Sequence, residues 1–227
     1  RNFVERLEIS TVEEAKKLAA FIQEKNYKRI GSIVAVHDGI QAGYTSLKVD
    51  PNFSDKEIVA ESINSGQEDF RTSLSKLLVE KPDVIFIGLL PGKAGEFGKQ
   101  ARSLGYTGDF VGFNFIEGEE TLVAAQGNLD GIVYTQAADP QNWFSNKYQS
   151  EYQKSIGPGS AHMYDAVMMI NEAARVGKIS SHDLINFLTS LRDFNGALGI
   201  YNSTNTHEFT IPVSFRTIRN NSFTGVE

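Results

Sequence analysis

The chain reads as an α/β protein built on a parallel sheet flanked by helices, and three features carry that reading. Residues 81–112 (KPDVIFIGLLPGKAGEFGKQARSLGYTGDFVG) form one complete strand, helix and second strand. The same strand and helix alternation runs through residues 11–135, and parallel strands need such crossovers. After residue 135 the rhythm changes to three helical stretches in a row, a candidate crossing into a second lobe.

The first element is a helix. Ser10 with Glu13 and Thr11 with Glu14 are two overlapping capping-box patterns, and Val12, Ala15, Leu18, Ala19 and Ile22 continue as one apolar face. A basic turn from Lys25 to Arg29 leads into the buried strand IGSIVAV, residues 30–36. After His37-Asp38-Gly39 the spacing predicts a short helix over 40–48, a turn at Asp50-Pro51-Asn52 and a strand over 57–63. Phe70, Leu74, Leu77 and Leu78 mark the next helix, which Pro82 prevents from continuing. The run DVIFIG, 83–88, has the continuous apolar character of a strand covered on both faces. Ala94, Phe97, Ala101 and Leu104 recur at helical spacing, Gly105 stops that helix, and Asp109 to Gly112 begins another strand. A strand is expected over 131–135, helices near 141–155, 160–176 and 181–193, and strands near 198–201 and 209–218 with NSTNTH as the turn between them.

Composition narrows the function. At 227 residues, 41% hydrophobic and 22% charged, the chain is long enough for two compact lobes. No apolar run approaches the roughly 20 residues that span a bilayer, and the first residues lack the basic-then-apolar order of a signal peptide. A net charge of −6 without a Lys and Arg cluster argues against nucleic acid. Zero cysteines remove disulfides, thiol nucleophiles and thiolate metal sites together.

Catalytic motifs are not met. The segment Gly88 to Ala94 sits where a phosphate loop would, but its glycine spacing is one short and no hydroxyl follows Lys93. His37, His162, His182 and His207 show no metal-ligand spacing, and no serine lies in a nucleophile elbow. No cofactor, metal or catalytic residue is therefore expected. Glu117, Glu119 and Glu120 read as a helix start favoured by the dipole, in preference to a cation or acid-base site. His37-Asp38 closes a strand, where ligands bind open α/β sheets, and reads equally as an Asx turn with Gly39. Of the aromatics between 141 and 164, Trp143, Phe144, Tyr148 and Tyr152 read as helix packing and Tyr164 as a candidate ligand contact. Three N-x-S/T triplets, at Asn52, Asn202 and Asn220, are treated as inert.

Five segments together resemble the type I periplasmic binding protein family, the branched-chain amino acid and amide binders of ABC importers in particular. They are AKKLAAFIQEKNYKRIGSIVAV, GQEDFRTSLSKLLVEKPDVIFIG, KQARSLGYTGDFVG, YDAVMMINEAARV and LRDFNGALGIYNS, in family order along nearly the whole chain. The resemblance implies a non-enzymatic, periplasmic or extracellular solute-binding protein that captures a small molecule between two lobes and presents it to a membrane permease. The alternative it leaves is a sensor or protein-interaction domain of the same architecture without transport.

The resemblance also implies a division. Residues 11–135 would be the second lobe, 139–195 helices belonging to the first, and 197–227 strands returning across the hinge. The chain starts where such proteins cross between lobes, which implies either a fragment of a longer product or a first lobe completed in some other way; for a fragment, exposed apolar faces on the late helices, with dimerisation or domain swapping, are expected. The implied ligand contacts are Asp38, Gln41, Ala42, Leu90, Asn114, Phe115 and Tyr164. Positions that hold aromatics in amino-acid binders fall here on Gln41 or Ala42 and on Leu90, and the acidic partner of the ligand amine falls on Asn114. An amide in place of that carboxylate forfeits roughly 1.5–3 kcal/mol, about tenfold to a hundredfold in affinity. A zwitterionic amino acid is thereby disfavoured unless Glu117 substitutes, and an amide or aromatic compound fits better.

Overall fold

A computed structural model describes residues 7, 9–154, 156–157, 159–204 and 207–226. They divide into two compact units. The larger takes Thr11–Gln136 and the residues from Phe215 on; the smaller takes the described residues up to Ser10 and Ala137–Ser214.

The larger unit begins with α1 (Thr11–Glu24), which buries Ala15, Leu18, Ala19 and Ile22 as the apolar stripe requires. The capping-box glutamates are engaged: Glu13 pairs with Lys16 at 2.9 Å and buried Glu14 accepts from Thr135 Oγ1 at 2.8 Å. There follow β1 (Ile30–Val36), α2 (Asp38–Lys48), α3 (Pro51–Ser54), β2 (Glu57–Asn64), α4 (Arg71–Val79), β3 (Val84–Gly88), α5 (Lys93–Ser103), β4 (Asp109–Gly112), α6 (Glu119–Ala125) and β5 (Val133–Ala137). The turn expected at residues 50–52 is the start of α3, because the Asp50 carboxylate accepts from Asn52 N at 2.9 Å with Pro51 at the first helical position. The strand expected over 131–135 is shifted to Val133–Ala137. Gly131, at φ 90°, closes a turn in which Ile132 N donates to Leu129 O.

Among the described residues seven strands form the main sheet, in the order β10-β9-β5-β4-β3-β1-β2, with β9 spanning Val213–Arg219 and β10 spanning Ser222–Gly225. β1 pairs in parallel with both β2 and β3, β3 with β4, and β4 with β5; β10 returns antiparallel to β9. All five β3 residues are buried, as a central strand covered on both faces must be, whereas β2 at the edge alternates exposed and half-buried residues along most of its length. Between β1 and β3 the order of winding reverses. Such a switch point opens a crevice at the carboxyl ends of the strands.

The smaller unit holds α7 (Asn142–Tyr152), α8 (Ser160–Arg175) and α9 (Ser181–Ser190), with a sheet of β6 (Phe194–Gly196), β7 (Gly199–Ser203) and β8 (Phe209–Thr210). Its organising group is a fully buried carboxylate. Asp165 on α8 accepts from Ala197 N at 2.6 Å, Leu198 N at 3.3 Å and Tyr201 OH at 2.7 Å. The last helix is capped by Ser180, whose Oγ accepts from Asp183 N, and it stops at Ser190 rather than 193. The single strand expected over 209–218 is broken into β8 and β9 at Pro212, which has no N–H to give to a ladder. The first helix of the three ends at Tyr152; residues 155, 205 and 206, within the expected helix and turn, lie outside the described residues. Met163, Val167 and Ile170 on α8 are exposed, and α9 buries no side chain fully.

Candidate functional site

Loops that follow β1, β3 and β4 emerge at one end of the parallel sheet, on either side of the switch point. After β1, His37 keeps an extended backbone (φ −151°, ψ 130°) and α2 begins at Asp38. Asp38 is thus the first helical residue, and the Asx-turn alternative does not apply. Asp38 and Ala42 are exposed; Gln41 is half-buried and donates from Nε2 to Ala35 O at 3.0 Å.

The loop after β3 runs through buried Leu89 and half-buried Leu90 to Gly92, whose φ of 77° suits glycine. Gly92 N donates to Thr121 Oγ1 at 3.1 Å, and that hydroxyl donates to Ile116 O at 2.7 Å, so the loops after β3 and β4 are pinned together.

Beyond β4 come Phe113, buried, and a single 3-10 turn, Asn114–Ile116. The Phe115 ring meets His37 edge-on with centroids 5.9 Å apart. Two glycines of α2 admit the aromatic rings: a Cβ on Gly39 would stand 2.9 Å from Phe115, and one on Gly43 2.9 Å from Phe113. Asn114 Oδ1 is buried without a hydrogen-bond partner among the described residues.

Glu117, next along this loop, is engaged by three donors. Arg216 Nη1 lies 2.9 Å from Oε1, while Tyr134 OH at 2.8 Å and Gln136 Nε2 at 3.1 Å donate to Oε2. Glu117, the residue that could substitute for the missing amine partner, is thus already paired with an arginine 99 residues later, which nothing local in the sequence signals. Glu119 and Glu120 occupy the first turn of α6, the dipole-favoured place expected for them.

Six of the seven candidate contacts, Asp38, Gln41, Ala42, Leu90, Asn114 and Phe115, therefore share one end of the larger unit. Tyr164 belongs to the smaller unit, half-buried on the first turns of α8, its ring 5.1 Å from Phe144 and 5.9 Å from Trp143. No group of three or more His, Asp or Glu side chains poised for a metal ion occurs among the described residues.

Known proteins share this fold of a parallel sheet flanked by helices. A family model for periplasmic binding proteins matches residues 10–222, and the chain belongs to that family. An amino acid binding protein of Pseudomonas aeruginosa is 27% identical over 135 residues, covering 59% of this chain and 33% of that protein. A leucine binding protein from Thermotoga maritima MSB8 matches with a TM-score of 0.86 at 22% identity, over 99% of this chain and 67% of that one. A branched-chain amino acid transporter substrate binding protein of Streptococcus pneumoniae, in complex with isoleucine, gives 0.80 at 21% over 95% and 64%. An ABC transporter solute binding protein from R. palustris, in complex with benzoate, gives 0.78 at 15% over 98% and 64%.

The chain thus spans about a third of the length of the curated relative and about two thirds of these solved chains. Family and neighbours are solute-binding proteins, not enzymes, and membership implies an extracytoplasmic location. Among the described residues no helix is long and apolar enough to cross a membrane.

Proposed function

We propose that the chain is the larger part of an extracytoplasmic solute-binding protein of an ABC importer, and that the loops after β1, β3 and β4 supply contacts to its solute. In this reading Thr11–Gln136 is the second lobe, α7 to α9 belong to the first, and a membrane permease receives the solute. Asp38, Gln41, Ala42, Leu90, Asn114 and Phe115 are the contacts of the larger unit, with Tyr164 as a contact of the smaller.

The observation that carries the proposal is Asn114. A buried carbonyl oxygen left without a donor costs about 1–3 kcal/mol, which a solute N–H or hydroxyl would recover. Leu90 and Phe115 make the neighbouring surface apolar. Glu117 has its charge matched by Arg216, so a ligand ammonium would have to compete with a guanidinium already in place. The preferred solute is therefore apolar with an amide or hydroxyl group and no required α-amine. The fold itself admits such variety, since one neighbour was solved with isoleucine and another with benzoate.

A thermal-shift screen of the full-length gene product against amides, aromatic acids, amino acids and sugars tests this. Solute at about a hundred times its Kd stabilises by roughly 2.7 kcal/mol, a shift of several degrees. A hit among amides or aromatic compounds supports the proposal. Silence from a folded protein would favour the sensor or protein-interaction reading, toward which the exposed Met163, Val167 and Ile170 already lean.

A further inference from the structure

Three short segments of chain join the two units: 10–11, 136–137 and 214–215. The second and third belong to β5 and β9, which are neighbours in the sheet. The first leads directly into α1. On the larger unit's side, each of these segments has a carboxylate beside it.

Glu117 takes the second and third. Its Oε2 accepts from Gln136, the residue immediately before the second junction, and from Tyr134, two positions earlier. Its Oε1 accepts from Arg216, the second residue after the third junction. Glu14 takes the first. It lies on the first turn of α1, is 2% exposed, and accepts from Thr135, the residue before Gln136.

We propose that Glu117 is a positioning residue that locks the second and third junction segments to the loop after β4, so that Asn114, Phe115 and both junctions form one mechanical block. Glu14 extends the block to the first junction. A change at the loop carrying Asn114 is then transmitted to the junctions rather than absorbed locally.

The geometry supports a lock stronger than a surface ion pair. Arg216 and Glu117 side chains are only 22% and 23% exposed, so solvent screens them less than an exposed pair. The contact is also a charge-assisted hydrogen bond, roughly twice as strong as a neutral one. Arg216 Nε is buried without a partner among the described residues, so the guanidinium depends on what Glu117 and the more distant Phe223 O at 3.5 Å offer it.

The inference stands independently of the solute reading, because its test needs no ligand. Hydrogen exchange is measured on the full-length protein as wild type, as Glu117→Gln and as Arg216→Lys. Glu117→Gln should make amides over 132–138 and 213–219 exchange about tenfold faster or more, the effect expected for losing one charged hydrogen bond. Amides of β1 and β3 should keep wild-type rates. Arg216→Lys, which keeps the charge but loses the fork, should accelerate the same two stretches to a smaller degree. It also keeps the test alive if Glu117→Gln fails to fold. Unchanged exchange at both stretches, or acceleration spread equally over β1 and β3, would overturn the proposal.

Discussion

The two units solve the same problem of burial by different means. In the larger, the parallel sheet is covered on both sides, and aromatic rings interlock along it: Phe86 lies 5.9 Å from Phe53, 5.8 Å from Tyr44 and 5.1 Å from Phe113. In the smaller, the strands are short, α9 buries nothing fully, and a carboxylate at the centre, Asp165, gathers the chain after α9 onto α8. A core made of apolar area spreads its stability over many contacts. A core organised by one buried charge does not, because removing the acceptor strands several donors at once.

The largest effect expected is in the larger unit. Phe86→Ala removes a fully buried ring and should cost about 3–5 kcal/mol, read as a lower urea midpoint by far-UV circular dichroism. Asp165→Ala should follow closely at about 3 kcal/mol, since Ala197 N, Leu198 N and Tyr201 OH lose their acceptor together. The chain's single tryptophan, Trp143, lies on α7, so its fluorescence reports the smaller unit alone. Asp165→Ala should move the fluorescence transition, and Phe86→Ala the dichroism transition more than the fluorescence one. Equal movement of both probes in both variants would show that the units unfold as one.

An intermediate effect is expected where α5 meets α6. A Cβ on Gly95 would fall 2.5 Å from Thr121 O and 2.7 Å from Ala125 N, backbone atoms that cannot step aside. Gly95→Val should cost about 1–3 kcal/mol by urea melting, whereas Gly105→Ala, with nothing within 4 Å of its Cβ, pays only the strain of its positive φ.

Alkaline pH should weaken both units. Burial, the leading cause, raises the Tyr27, Tyr44, Tyr106 and Tyr201 phenols well above the usual value; hydrogen bonds to Asp109, Glu57 and Asp165 add to it for Tyr27, Tyr44 and Tyr201. A raised phenol stays neutral in the folded chain while the unfolded chain ionises near pH ~10. Stability from these groups is therefore fully present below pH ~10 and falls as pH rises beyond it. A urea midpoint that is flat between pH 10 and 11 would contradict this. The smallest effect is at the α8 surface, where Val167→Lys at a 60% exposed position should change stability by less than about 0.5 kcal/mol.

Legibility in the sequence followed the same divide. The strands and helices from 30 to 112 declare themselves because buried parallel strands are continuous apolar runs and their helices keep a strict period. The smaller unit was harder. Phe194–Gly196 has no apolar run to mark it as β6, and a strand drawn over 209–218 ignored what Pro212 does to a ladder. Asp50-Pro51 serves a turn and a helix start equally well, and only the Asn52 N–H settles it. At the candidate site, the ends of the strands and hence Asp38, Gln41, Ala42, Leu90, Asn114 and Phe115 were placed by pattern and resemblance. The pairing of Glu117 with Arg216 joins positions 99 apart and depends on β9 returning beside β5, which no local pattern encodes.

Matched calorimetric titrations of the full-length protein with leucine and with 4-methylpentanamide, which has the same side chain, an amide N–H for Asn114 Oδ1 and no α-ammonium, bear most directly on how this site selects its solute. With Asn114 in place of an acidic partner and Glu117 already held by Arg216, the amine-free compound should bind at least as tightly as leucine. Leucine binding tenfold or more tightly would contradict the account and require an anion at the site that this arrangement of Glu117 and Arg216 does not provide.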